Sequence, residues 1–227
     1  GGYDETPETN DDWINWMRIV YRGCQFECIS DPLVLRRRHA SALTRQQTQR
    51  VVHWRFKALE TLCQELAIPE ALRLRAYGRL HWVATVAALQ SGDEMEAQSS
   101  FLQAILGEPS LLEDAATFFA LAYHGRPPGN SLFNPTAACQ TLTVFLSALF
   151  DESTLSISMK SQRAQIWSTA FFYLAQVCYG EQQAAAARHF AWQSFRWSPK
   201  QWFSVSGLAW GGRFLLGSQI IRSLKWS

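Results

Sequence analysis

After Glu181 the chain carries no acidic residue, and Arg188, Arg196, Lys200, Arg213, Arg222 and Lys225 supply every charge in that stretch. Other absences exclude whole classes of protein. No apolar run approaches the roughly 20 residues that a bilayer-spanning helix needs, and no secretory leader pattern is present. The expectation is a cytoplasmic chain, free or peripheral to a membrane. There is no Gly-rich phosphate loop and no Asp-x-Asp pair. His53, His81, His124 and His189 are far apart, and none stands in His-x-x-x-His or Glu-x-x-His spacing, so no helix carries a ready-made metal site. Five cysteines, at 24, 28, 63, 139 and 178, are too few, too scattered and odd in number for a disulfide framework. They read as free thiols in a reducing compartment. A net charge of +2 gives no reason to expect nucleic acid as a partner. Position 1 is Gly rather than Met, which predicts a piece of a longer chain whose upstream signals are not visible.

What remains is a globular composition, with 48% apolar and 18% charged residues and ten Trp. Trp13, Trp16, Met17 and Val20 follow i, i+3, i+4, i+7 spacing, one face of a helix that Gly23 ends. Gln25 to Ile29 reads as a short strand, Asp31-Pro32 as a turn and Leu33-Val34-Leu35 as a second strand. From Thr44 onward only helical patterns appear. They cover about 45–66, 69–90, 93–106, 111–123, 135–150, 160–179, 182–197 and 200–224. Pro69, Ser91-Gly92-Asp93, Pro109 and the loop from His124 to Asn130 punctuate them.

A weak repeat runs through this part. Ala76 to Pro109 and Gln165 to Pro199 each read as helix, turn, helix and closing Pro. Gly92 matches Gly180, Ala97 matches Ala186 and Phe101 matches Phe190. Units of about 34 residues resemble degenerate tetratricopeptide hairpins, with an irregular helical bundle as the alternative.

The first forty residues carry the more specific pattern. Gly1-Gly2-Tyr3-Asp4-Glu5, then Asp11-Asp12-Trp13, then Trp16 and Arg18, then Asp31-Pro32-Leu33-Val34, then Arg37-Arg38-His39 follow in order. The series resembles the C-terminal part of family 2 (GT-A type) glycosyltransferases. There "GGFDE", "EDW", "LWLR", "PEPLV" and "YRRH" succeed one another. Asp11 departs from the usual Glu but keeps the carboxylate.

The resemblance implies a mainly α chain in two parts. Residues 1–44 would be a short α/β remnant of the catalytic domain, and 45–227 a helical, tetratricopeptide-like domain. It implies that Asp12 is the base that accepts the acceptor hydroxyl's proton, with Asp11 its neighbour. Arg37 and Arg38 would add positive charge near the departing diphosphate. His39 would ligate a divalent metal, Mg or Mn, or contact that diphosphate. Asp12 also suits the start of a helix through its charge alone, and the two roles are compatible. Asp4 would fix the turn. The nucleotide-sugar donor belongs to an upstream half that carries the Asp-x-Asp, so this chain alone is expected to be inactive. The whole enzyme would glycosylate a glycan, lipid-linked or protein acceptor in cell-envelope polysaccharide biosynthesis. The rival is a non-catalytic helical scaffold.

Of the histidines, only His124 lies in a Pro/Gly loop. Near the end, Trp192, Trp197, Trp202, Trp210 and Trp226 interleave with basic residues. That composition suits an anionic membrane surface, or packs the last hairpin with a solvated basic face. A protein partner of the helical domain is the other expectation, and nucleic acid is not expected.

Overall fold

The computed structural model describes residues 11–31, 33, 48–126, 133–203 and 207–214. They form α1 (Asp11–Tyr21), α2 (Thr48–Glu65), α3 (Glu70–Ser91), α4 (Glu94–Gly107), α5 (Ala115–Ala122), α6 (Pro135–Asp151), α7 (Ile157–Ser161), α8 (Arg163–Gly180) and α9 (Ala184–Trp197). Residues 207–214 make a last helix, α10. Short 3-10 turns follow α4 at Pro109–Leu112 and α9 at Pro199–Phe203. The protein is mainly helical. Residues 24–30 are in neither helix nor strand, so the expected strand at Gln25–Ile29 is absent. A strand needs a ladder partner for its N–H and C=O groups. Of the expected partner at 33–35, only Leu33 is described.

Two helical hairpins dominate. The α3–α4 turn is a Schellman motif. Gly92 takes φ 80°. Its N–H reaches the Leu89 carbonyl at 3.3 Å, and the Asp93 N–H reaches Ala88 at 3.0 Å. Asp93 then caps α4 by accepting from the Glu96 N–H at 3.1 Å. The α8–α9 turn repeats the motif on a different residue from the one expected. Gly180 is the last residue of α8, and a Cβ placed on it would meet nothing within 4 Å. The left-handed residue is Gln182, at φ 60°. Its N–H reaches the Tyr179 carbonyl at 3.1 Å, and that of Gln183 reaches Cys178 at 2.8 Å.

A non-Gly residue in this conformation costs about 1 kcal/mol. Gln182→Gly is therefore expected to raise the thermal midpoint by about 2–4 °C. An unchanged or lower midpoint in a melting scan would count against that turn geometry.

Gly92 and Gln182 stand ninety residues apart, as do the starts and ends of α4 and α9 and the prolines at 109 and 199. The structure thus shifts the repeat register by one or two residues from that read in the sequence. Ala97 matches Ala187 rather than Ala186, and both are fully buried. The crossing of the two helices also matches. In the first hairpin, a Cβ on Gly78 would lie 2.7 Å from the Glu108 nitrogen and 2.8 Å from the Gly107 carbonyl carbon. In the second, Ser168 stands at that position, and its hydroxyl donates to the Ser194 carbonyl at 2.9 Å. Small residues there let backbones approach closely enough to touch.

One core runs through α3 to α10. Phe101 of α4 meets Phe145 of α6, with ring centroids 5.2 Å apart, and both are buried with Leu142, Leu146 and Leu149. The chain leaving α5 forms a corner that ties several helices together. The Tyr123 hydroxyl donates to Glu181 at 2.8 Å. His124, at φ 50°, pairs with the Thr141 hydroxyl at 2.8 Å. The Gly125 carbonyl accepts from Gln90 at 2.6 Å. At the first crossing Glu108 is buried, accepting from Arg75 at 2.8 Å and from the Ser110 hydroxyl. The Arg75 bond, then that of Ser110, holds its carboxyl below the usual range.

Candidate functional site

α1 is the element that carries the candidate base. Asp11 and Asp12 form its first two residues, where a negative charge is favoured by the helix dipole. Their side chains lie outside what the structure describes, as do Arg37, Arg38, His39 and Asp4. Gly23 ends the helix as expected, in the left-handed conformation common just past a helix end. It takes φ 85°. Its N–H reaches the Val20 carbonyl at 2.9 Å, and the Cys24 N–H reaches Ile19 at 3.3 Å.

The docking of α1 has two parts. Ile14 is buried against Ala58 and Leu62 of α2, forming a small cluster flanked by Trp13, Leu66 and Ile68. One turn on, Arg18 grips Glu65 with two bonds, Nε to Oε2 at 2.8 Å and Nη2 to Oε1 at 2.7 Å. Such a two-pronged pair fixes direction as well as distance. Sequence reasoning singled out Arg18 but missed Glu65. The two lie far apart in sequence, and no local spacing links them.

The remaining faces of α1 are apolar and open. Trp16, Met17, Ile19, Val20 and Tyr21 are exposed, and so are Phe26, Ile29 and Leu33 in the segment that follows. The sequence places Trp13 and Trp16 on one helical face, which by the resemblance would pack against the rest of a catalytic domain. Trp13 is half-buried, while Trp16 is 53% exposed. An exposed apolar area of this extent is typical of an interaction surface.

The helical part offers little reactive chemistry. All five cysteines are free. Burial pushes the Cys139 thiol up and that of Cys178 to about 12, so neither is a thiolate near neutral pH. Among the described residues no three His, Cys, Asp or Glu side chains cluster as a metal site. No described helix is long and apolar enough to cross a membrane.

His81 packs on Phe56, and His124 is tied to Thr141. Burial lowers both below the usual imidazole range, with Arg126 adding to the effect at His124. A depressed imidazole stays neutral in the folded state while the unfolded chain takes up the proton. Stability is therefore full above pH ~6.5 and declines as pH falls toward the folded values. The urea midpoint is expected to drop between pH ~7.5 and ~5.5. Equal midpoints would show that these rings are freely solvated.

Among the described residues three concavities stand out. A cleft of about 540 Å³ lies between the first 3-10 turn and α7–α8, lined by Ser156, Gln162 and Tyr173 among others. A second, of about 440 Å³, lies between α4 and α6 and includes His124, Gln140 and Thr141. The third, about 290 Å³, is an apolar groove between α9 and α10, lined by Ala191, Trp192, Phe195, Trp202, Gly211 and Phe214, with Arg188 beside them.

No protein family, curated protein or solved structure matches the chain.

Proposed function

We propose that the chain is the acceptor-side end of an inverting, nucleotide-sugar-dependent glycosyltransferase, joined to a helical domain. Asp12 is the base, and the donor and its divalent metal are held by an upstream half. The sequence motifs of the first forty residues suggest this reading. The observation that best supports it is the posture of α1. One face is fixed on α2 by Ile14 and the Arg18–Glu65 pair, while the faces bearing Trp16, Met17 and Val20 are apolar and open. A catalytic core seated there would cover those side chains and hold the Asp11-Asp12 end of the helix at its edge.

A second reading is a helical scaffold without catalysis. The ninety-residue correspondence of the two hairpins favours it, because stacked hairpins build extended binding surfaces. Turnover of nucleotide sugars separates the two. The longer protein that includes this chain is assayed for release of nucleoside diphosphate with Mg or Mn, beside an Asp12→Asn variant. Release that depends on Asp12 supports the enzyme. No release by either protein, across nucleotide sugars and acceptors, leaves the scaffold.

A further inference from the structure

We propose that the α9–α10 face is a docking surface for an anionic phospholipid bilayer. The inference rests on this face alone and stands whether or not the chain belongs to a glycosyltransferase.

On α9, Arg188, Trp192, Phe195 and Arg196 follow i, i+4, i+7, i+8 spacing, so they share one face. All four are exposed. Trp192 and Phe195 stack with ring centroids 5.6 Å apart. Across the groove, Gly211 and Phe214 of α10 complete an apolar floor with Trp202. Leu208, one helical turn before Gly211, is 63% exposed, and Phe203 is 74% exposed. Within the groove itself Trp192 and Phe195 are exposed, so they stand out of it instead of closing over it.

Charge completes the match. Arg188, Arg196 and Lys200 are exposed, and no acidic residue follows Glu181 in the chain. Arg213 lies over the Trp210 ring at 4.9 Å, keeping its charge beside an aromatic face. Indole and guanidinium groups together suit the headgroup layer, where aromatic rings sit at the interface and cations meet lipid phosphates. An acidic protein would satisfy the charges too. Protruding Trp and Phe side chains at a shallow groove fit insertion among lipid headgroups better than they fit a matching pocket.

The test is co-sedimentation of the 227-residue chain with vesicles of phosphatidylcholine alone and of phosphatidylcholine with phosphatidylglycerol. Binding is expected only to the anionic vesicles and should weaken as salt rises. Arg188→Gln with Arg196→Gln is expected to reduce partitioning about tenfold or more. Trp192→Ser with Phe195→Ser is expected to abolish the blue shift of Trp emission on binding. Ile157→Ser, at an exposed apolar position on α7, is the control and should bind normally. All the altered side chains are exposed, and unchanged far-UV circular dichroism confirms folding. Equal binding to neutral and anionic vesicles, no binding to either, or full binding by both double variants would each overturn the proposal. The last result would place any membrane contact elsewhere on the chain.

Discussion

If the chain is the end of a glycosyltransferase as proposed, Asp12→Asn in that enzyme is expected to lower nucleotide-sugar turnover by about 10²–10⁴-fold, with KM little changed. Asn keeps the size and hydrogen-bonding reach of Asp but cannot take the acceptor's proton. On that reading the loss falls on kcat, because a general base acts as charge moves in the transition state. Asp12 lies in the first turn of α1. Removing a negative charge there costs about 0.3–1 kcal/mol through the helix dipole. That is too little to unfold a helix also held by Ile14 and the Arg18–Glu65 pair. A kcat within tenfold of the parent, with donor saturation intact, would reduce Asp12 to a helix-start residue.

Gly78→Val is expected to be strongly damaging to the helical part, costing about 3 kcal/mol. At the hairpin crossing, even one added carbon would sit 2.7 Å from the Glu108 nitrogen and 3.0 Å from the Ala104 carbonyl. These neighbours are backbone atoms and cannot swing aside as a flexible side chain would. The helices must part, which disturbs the seat of Glu108 between Arg75 and Ser110 and loosens Phe101, one turn before Ala104. For a chain of this size the midpoint should fall by about 6–12 °C. Gly212→Ala is the control, since a Cβ there meets nothing within 4 Å. Equal melting of the two variants would rule out the close crossing.

Most helices were legible in the sequence, because their breakers act locally. Gly23, Pro69, Gly92 and Pro109 stop or start helices for reasons of φ, missing N–H groups or capping, and the structure ends or begins helices beside each of them. Features that depend on tertiary contact were not legible. Gly180 looked like the turn of the second hairpin, yet Gln182 takes the left-handed position, since packing fixes where α8 ends. The helix expected over 111–123 is split, because Asp114 caps a new helix by accepting from the Ala116 N–H at 2.9 Å. The helix expected from about 200 starts instead as a 3-10 turn at Pro199–Phe203. At the candidate site the sequence supplied Asp11, Asp12 and Arg18. The partner Glu65 and the openness of Trp16 came only from the way α1 lies on α2. On α9 the Trp residues were visible in the sequence, but Phe195, Phe203 and Leu208 were not grouped with them. The helical spacing of Phe195 from Arg188 was the signal available.

The corner after α5 bears on how the chain reaches this structure. Helical hairpins close through contacts between near neighbours in sequence and so form quickly. Tyr123, His124 and Gly125 instead bind partners 58, 17 and 35 residues away. Those partners are spread over α3, α6 and the turn that joins α8 to α9. The corner is complete only after the separate hairpins have assembled around it. If it closes after the folding barrier, weakening it should speed unfolding far more than it slows refolding.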